Sequence, residues 1–139
     1  MSRITIDEYF MQIARAVSWR STCYDKQVGC VLVDENNHII ATGYNGNPTG
    51  MVNCIDAYTQ CPNITGDCCY AVHAEQNALL RCDTSKIAKA YCTLEPCISC
   101  TIKLMNTACK EIIYAKPTNP KKSGKQPWLN ASKIWRQHG

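Results

Sequence analysis

A chain of 139 residues has the length of one domain and can build a core without staples, so residues 1–139 are read as a single unit. Hydrophobic residues at 45% and charged residues at 19% exclude an intrinsically disordered segment, and no apolar run reaches the roughly 18 residues of a membrane helix. The net charge of +4 suits anionic ligands, but much of it lies in Lys116, Lys121, Lys122, Lys125, Lys133 and Arg136, a run that reads as solvated surface; it permits nucleic-acid binding without arguing for it, and nucleic acid is not expected as a partner.

Arg3, Asp7 and Glu8 interrupt the first residues and leave no signal-peptide core. A reducing cytoplasm is therefore expected, in which the 11 cysteines serve as metal ligands, catalytic groups or core thiols more often than as disulfides. Thr5 and Glu8 suggest a capping box, and Phe10, Ile13, Ala14 and Val17 recur behind it at helical spacing, which predicts a helix over 5–20. The apolar run Val28 to Val33, the polar turn Asp34 to Asn37 and a second run from His38 to Tyr44 predict an antiparallel hairpin. Residues 45–72 hold Gly46, Pro48, Gly50, Pro62 and Gly66 without periodicity, which makes them a long loop of the kind that usually carries function.

A helix over Ala74 to Cys82, a strand over Lys89 to Leu94, a helix over Cys97 to Asn106 and a strand over Glu111 to Ala115 follow. The tail 116–139 offers at most a short helix from Leu129 to Arg136, and no fifth strand is expected. The order implies an α/β fold in three layers. A mixed sheet of four to five strands carries helices on both faces, with parallel pairing after the first hairpin. Ligands gather at the carboxyl ends of strands in such sheets.

Two short stretches carry the chemistry. His73-Ala74-Glu75 supplies an imidazole and a carboxylate; Pro96-Cys97-Ile98-Ser99-Cys100 supplies two thiols straight after a proline. Zn²⁺ takes Cys and His ligands, and a catalytic site uses three protein ligands so that water can hold the fourth position. His73, Cys97 and Cys100 make three, and Glu75 is left free to handle protons. Both segments fall at predicted helix N-termini, where the positive end of the helix dipole favours thiolate. His-x-Glu followed by Pro-Cys-x-x-Cys is the signature of zinc-dependent nucleobase deaminases, in which the glutamate is a general acid and base rather than a ligand.

Over roughly residues 5–115 the chain resembles the cytidine and deoxycytidylate deaminases. The stretches that carry the resemblance are Arg20-Ser21-Thr22-Cys23, Val28-Gly29-Cys30, Thr42 to Gly50, His73 to Ala78 and Tyr91 to Cys100, and Gly43 to Gly50 selects the deoxycytidylate (dCMP) branch. That resemblance implies a cytidine-deaminase-like fold and hydrolysis of dCMP to dUMP and ammonia, feeding thymidylate synthesis. It also implies a homo-oligomer, often a hexamer, activated by dCTP and inhibited by dTTP, with Mg²⁺ accompanying the regulatory nucleotide. Position by position, it makes Asn45 the contact to the deoxyribose 3′-hydroxyl and places Val28 or His73 against the base. Lys26, Arg20 and Ser21 become candidates for the 5′-phosphate, and Gly46, Asn47 and Asn77 for the effector.

Related deaminases with cysteines at similar positions hold a second, structural zinc, which here implies Cys23, Cys54, Cys61 and Cys68, with Cys69 able to replace Cys68. Cys30, Cys82, Cys92 and Cys109 are read as core thiols. The tail departs from the family pattern in lacking its further strand, which would leave an exposed sheet edge for a partner to cover. Two other readings use the same scaffold: a deaminase acting on a base in tRNA or single-stranded DNA, and a non-catalytic zinc module. The first would need extended basic and aromatic surface. The second would not need Glu75.

Overall fold

The computed structural model describes residues 2–57, 59–60 and 69–139; Cys61 and Cys68 lie outside the described residues. Helix α1 spans Ile6–Ser18, and Thr5 caps it by accepting a hydrogen bond from the Glu8 amide at 3.1 Å. The reciprocal half of the capping box is not made, because the Glu8 carboxylate turns to Gln12 and His138 instead. Strands β1 (Gly29–Val33) and β2 (Ile39–Tyr44) form the expected hairpin. Its turn is closed by Asp34 Oδ1, which accepts from the amides of Asn36 and His38, each at 2.9 Å.

Within the long stretch after β2 lies one described helical turn, α2 (Cys54–Ala57). The two ends of that stretch are pinned together by a bridge between Gly46 and Val72, whose backbone groups exchange hydrogen bonds of 3.2 and 2.8 Å. The bridge delivers the chain to His73. Helix α3 (Ala74–Leu79), strand β3 (Lys89–Leu94), helix α4 (Ile98–Met105) and strand β4 (Glu111–Lys116) follow. Helix α5 (Lys125–Leu129) and strand β5 (Ile134–Gln137) complete the order.

The sheet runs β2-β1-β3-β4-β5, with β3 antiparallel to β1 and parallel pairing from β3 through β5. Its two faces are covered by different helices, as the period-2 alternation of strand side chains requires. Phe10, Met11 and Ala14 of α1 pack on Val31, Val33, Tyr91 and Ile113. On the opposite face Ala74, Ala78, Leu104 and Trp128 meet Cys30, Leu32, Cys92 and Ile112. Cys30, Cys92 and Cys109 are buried in this second cluster and Cys82 packs against it, as read from the sequence. No helix among the described residues is long and apolar enough to cross a membrane.

The tail corrects the sequence reading. In place of a helix over Leu129 to Arg136 it forms α5 and then β5, which pairs in parallel with β4, so the chain covers this edge of its own sheet. Four residues are too few for a period-2 pattern to stand out, and long-range contacts decide the outcome. Trp135 packs against Trp128 and Tyr114, while Arg136 pairs with Asp7 and with Glu111. The tail charges are therefore not all solvated: Lys133 Nζ donates to the carbonyls of Met105 and Cys109 at 3.2 and 2.8 Å.

One close approach sets the position of the carboxylate-bearing helix. A Cβ on Gly43 in β2 would lie 2.3 Å from the Ala74 carbonyl oxygen and 2.5 Å from the Ala78 amide, so α3 rests directly on strand backbone. Gly43→Ala is expected to cost about 1–3 kcal/mol through overpacking. Urea denaturation should give a lower midpoint, with bound zinc falling in parallel; an unchanged midpoint would contradict the contact.

Candidate metal centre and active-site cavity

Two helix starts converge to make the site. His73 is the extended residue that caps the N-terminus of α3, and Cys97 occupies the same position on α4, with Cys100 in the first turn of that helix. The folding reasons are local. Gln76 Oε1 accepts from the His73 amide at 3.1 Å, and the Cys97 carbonyl accepts from the Thr101 amide at 2.9 Å, so each entry to its helix is fixed by the helix itself. Such helix starts place positive dipole ends beside any thiolate formed there.

His73 Nδ1 lies 3.5 Å from Cys97 Sγ and 3.3 Å from Cys100 Sγ, and the three donor atoms all fall within 4.8 Å of one another. Among the described residues this is the one such group of potential ligands. Tetrahedral bonds of about 2.3 Å to sulfur and about 2.0 Å to nitrogen would place such donors about 3.5 Å apart. Spacing and donor type therefore both fit Zn²⁺, with a fourth position free of protein. Hydrogen bonds from Cys100 and His73 hold the Cys97 thiol down to about 3, while Cys100, donating to that thiolate and buried, is pushed far up. The same bond to Cys97 raises His73. The trio thus concentrates negative charge on sulfur, where a cation would sit.

Glu75 completes the group without joining it. It is 4% exposed, and burial raises its pKa against the opposing pull of its own backbone amide, the Cys100 thiol and His73. Burial thus shifts the balance of this carboxyl toward its protonated form, the direction that favours a group acting as both general acid and general base.

His73, Glu75 and Cys97 open on a cavity of about 220 Å³ that Val28, Asn45 and Lys26 also line. Asn45 is buried, and its side chain ties the loop after α1 to the end of β2. Its Oδ1 accepts from Ser21 Oγ at 2.7 Å and from the Val28 amide at 2.9 Å, while Nδ2 donates to the Lys26 carbonyl at 2.8 Å. Ser21 is buried behind Asn45 and lies outside this cavity, on a neighbouring groove that Arg20 also lines.

That groove, of about 730 Å³, brings Gly46, Asn47 and Asn77 together with Arg20 and Arg81. The amides of Asn47 and Asn77 already donate to the Val52 and Tyr44 carbonyls, both at 2.8 Å, so they shape the wall of the groove. Of the second cysteine set, Cys23 and Cys69 border the smaller cavity. Cys54 is buried beside Asn47, its Sγ donating to Asn47 Oδ1 at 3.7 Å.

Two residues at the site carried no local signal. Glu95, buried next to Pro96, binds the tail through the Thr118 amide, Ser123 Oγ and Trp135 Nε1 at 3.2, 2.9 and 3.0 Å. Lys122, read from the sequence as solvated surface, lines the cavity of Glu75. The chain places Glu95 beside the donor segment, but only the long-range fold supplies its tail partners and brings Lys122 to the cavity.

Comparison with known proteins agrees with this geometry. Residues 4–116 match the family model "Cytidine and deoxycytidylate deaminase zinc-binding region". The deoxycytidylate deaminase of Schizosaccharomyces pombe is 40% identical over 119 residues, which cover 78% of this chain and 36% of that protein. That of Saccharomyces cerevisiae is 38% identical over 125 residues, 84% of this chain and 39% of the relative. The chain thus spans well under half the length of these yeast relatives. The deoxycytidylate deaminase of Mycobacterium phage D29 is 37% identical over 131 residues, covering 84% of this chain and 98% of that one. Among solved structures, the dCMP deaminase of cyanophage S-TIM5 in complex with dCMP and dUMP superimposes with a TM-score of 0.80 at 25% identity, covering 99% of this chain and all of that one. With its HxE and PCxxC segments folded into one three-donor cluster, this chain belongs to the cytidine and deoxycytidylate deaminase zinc-binding family.

Proposed function

We propose that this protein hydrolyses dCMP to dUMP and ammonia, supplying dUMP for thymidylate synthesis. The observation that carries the reading is Glu75, a buried carboxylate left over from a three-donor cluster and facing the same cavity. A structural zinc site closes its shell with four protein ligands and has no use for a spare carboxylate. The relatives named for dCMP support the choice of substrate.

Zn²⁺ bound by His73, Cys97 and Cys100 would supply a water acidified far below its bulk pKa. Glu75 accepts the proton which that water gives up and passes it to the ring nitrogen, so that the carbon bearing the amino group becomes open to attack. The water oxygen adds to that carbon; Glu75 takes up the remaining hydroxyl proton and delivers it to the amino group, whose bond to the carbon breaks, so that ammonia departs as the carbonyl of dUMP forms. Val28 or His73 packs against the face of the base. Asn45 Oδ1 already accepts two hydrogen bonds and Nδ2 donates one, so its contact to the 3′-hydroxyl uses the second Nδ2 hydrogen. Lys26 stands at the same cavity for the phosphate. Ser21 acts by holding Asn45 in place.

The larger groove with Gly46, Asn47 and Asn77 is assigned to the effectors dCTP and dTTP, with Mg²⁺ bound alongside the triphosphate, and Arg20 and Arg81 supply positive charge there. Residues 1–139 act as one catalytic unit in a homo-oligomer, a hexamer by family resemblance. A reducing cytoplasm suits the reading because Cys97 and Cys100 must stay unoxidised. A second zinc held by Cys23, Cys54, Cys61 and Cys68, or Cys69 in place of Cys68, would pin the long stretch after β2 with a closed shell of four thiolates.

The assay is ammonia release from dCMP by zinc-loaded protein, with and without dCTP and Mg²⁺. Turnover is expected, with a rise on adding dCTP, and Glu75→Gln should keep its catalytic zinc while losing about 10²–10⁴-fold in rate. No turnover with zinc bound would contradict the reaction, and dTTP without effect would contradict the groove assignment. Metal analysis checks the second site: Cys54→Ser with Cys61→Ser should lose one zinc per chain, and undiminished zinc would refute it.

A further inference from the structure

The match to the family model stops at residue 116, yet the segment beyond it is built into the site. Residues 117–124 cross the loop that carries the metal donors. The Gly124 amide donates to the Pro96 carbonyl at 3.2 Å, Ser123 bridges to Cys97, and Glu95 holds the Thr118 amide with one oxygen and Ser123 Oγ with the other. The contact leaves no slack: a Cβ on Gly124 would lie 1.8 Å from Thr101 Oγ1 and 3.0 Å from the Cys97 carbonyl. The strap is therefore fixed relative to Cys97 by groups at both of its ends.

Its one cation at the cavity is Lys122, in a short turn that Asn119 caps by accepting from the Lys121 amide at 3.0 Å. Among the described residues lining that cavity the cations other than His73 are Lys26 and Lys122, and the carboxylates other than Glu75 are Asp25 and Glu95. Both oxygens of Glu95 are turned onto the strap and Trp135. Two lysines far apart in the sequence thus line one cavity together with Glu75.

We propose that Lys122 is a specificity-determining residue that, together with Lys26, binds the 5′-phosphate of the substrate, and that Glu95 positions it by clamping the strap. This rests on the reading of the reaction as deamination of a nucleoside monophosphate. The ligand chemistry is a phosphate monoester, which carries close to two negative charges at neutral pH and accepts charge-assisted hydrogen bonds from lysine.

The test is steady-state kinetics of ammonia release from dCMP by the full zinc-loaded chain, comparing wild type, Lys122→Ala and Lys122→Arg. Lys122 is exposed, so truncation leaves the core intact. Lys122→Ala should raise KM about tenfold or more, the loss falling on KM rather than kcat, and Lys122→Arg should restore most of it. A KM unchanged in Lys122→Ala, or a loss in kcat that arginine does not rescue, would overturn the assignment while leaving the reaction standing. A wild type that binds zinc but does not turn over dCMP would overturn the reaction, and the assignment with it.

Discussion

A carboxylate with almost no access to water is costly to keep charged, and the fold around Glu75 is organised to tolerate one there. The compensation is local: its own backbone amide, the Cys100 thiol and the His73 ring all favour the ionised form, while burial opposes it. A divalent cation among His73, Cys97 and Cys100 would tip that balance further. Two helix N-termini have to meet for this to happen, and the sheet determines that they do. β3 ends immediately before the PCxxC segment, and Gly43 of the neighbouring hairpin lets α3 settle on strand backbone.

The site was legible in the sequence because its donors lie in two tight local patterns. His73 and Glu75 are separated by one residue and Cys97 and Cys100 by two, so a helix start is enough to aim each pair. The hairpin and the two helix-strand units were readable for a similar reason, since each has its own periodicity or turn chemistry. What escaped depends on contacts between distant residues. β5 is four residues long and is a strand because β4 offers an unpaired edge, Trp135 has Trp128 and Tyr114 to pack on, and Arg136 has Asp7 and Glu111 to pair with. Ser21 was read as a candidate for the 5′-phosphate; that its buried hydroxyl donates to Asn45 is a contact between residues 24 positions apart, which local sequence does not show.

Glu95 shows how one residue can serve the site without facing substrate. It stands two positions before Cys97, yet it accepts hydrogen bonds from Thr118, Ser123 and Trp135, all of which belong to the tail. The donor loop and the last quarter of the chain are thereby tied into one unit, and Asn45 does the same for the loop after α1. The cavity between them is framed by segments from both ends of the chain, each held by a buried polar side chain with its hydrogen bonds largely used within the protein.

The most direct measurement is a crystal structure of the zinc-loaded protein with dUMP, with anomalous scattering recorded at the zinc edge. The account predicts a peak about 2.0–2.3 Å from His73 Nδ1, Cys97 Sγ and Cys100 Sγ, with the pyrimidine ring beside it and the Glu75 carboxylate in hydrogen-bond reach of the ring but outside the coordination shell. A metal that takes Glu75 as its fourth ligand, or a nucleotide seated elsewhere with that cavity closed, would contradict it.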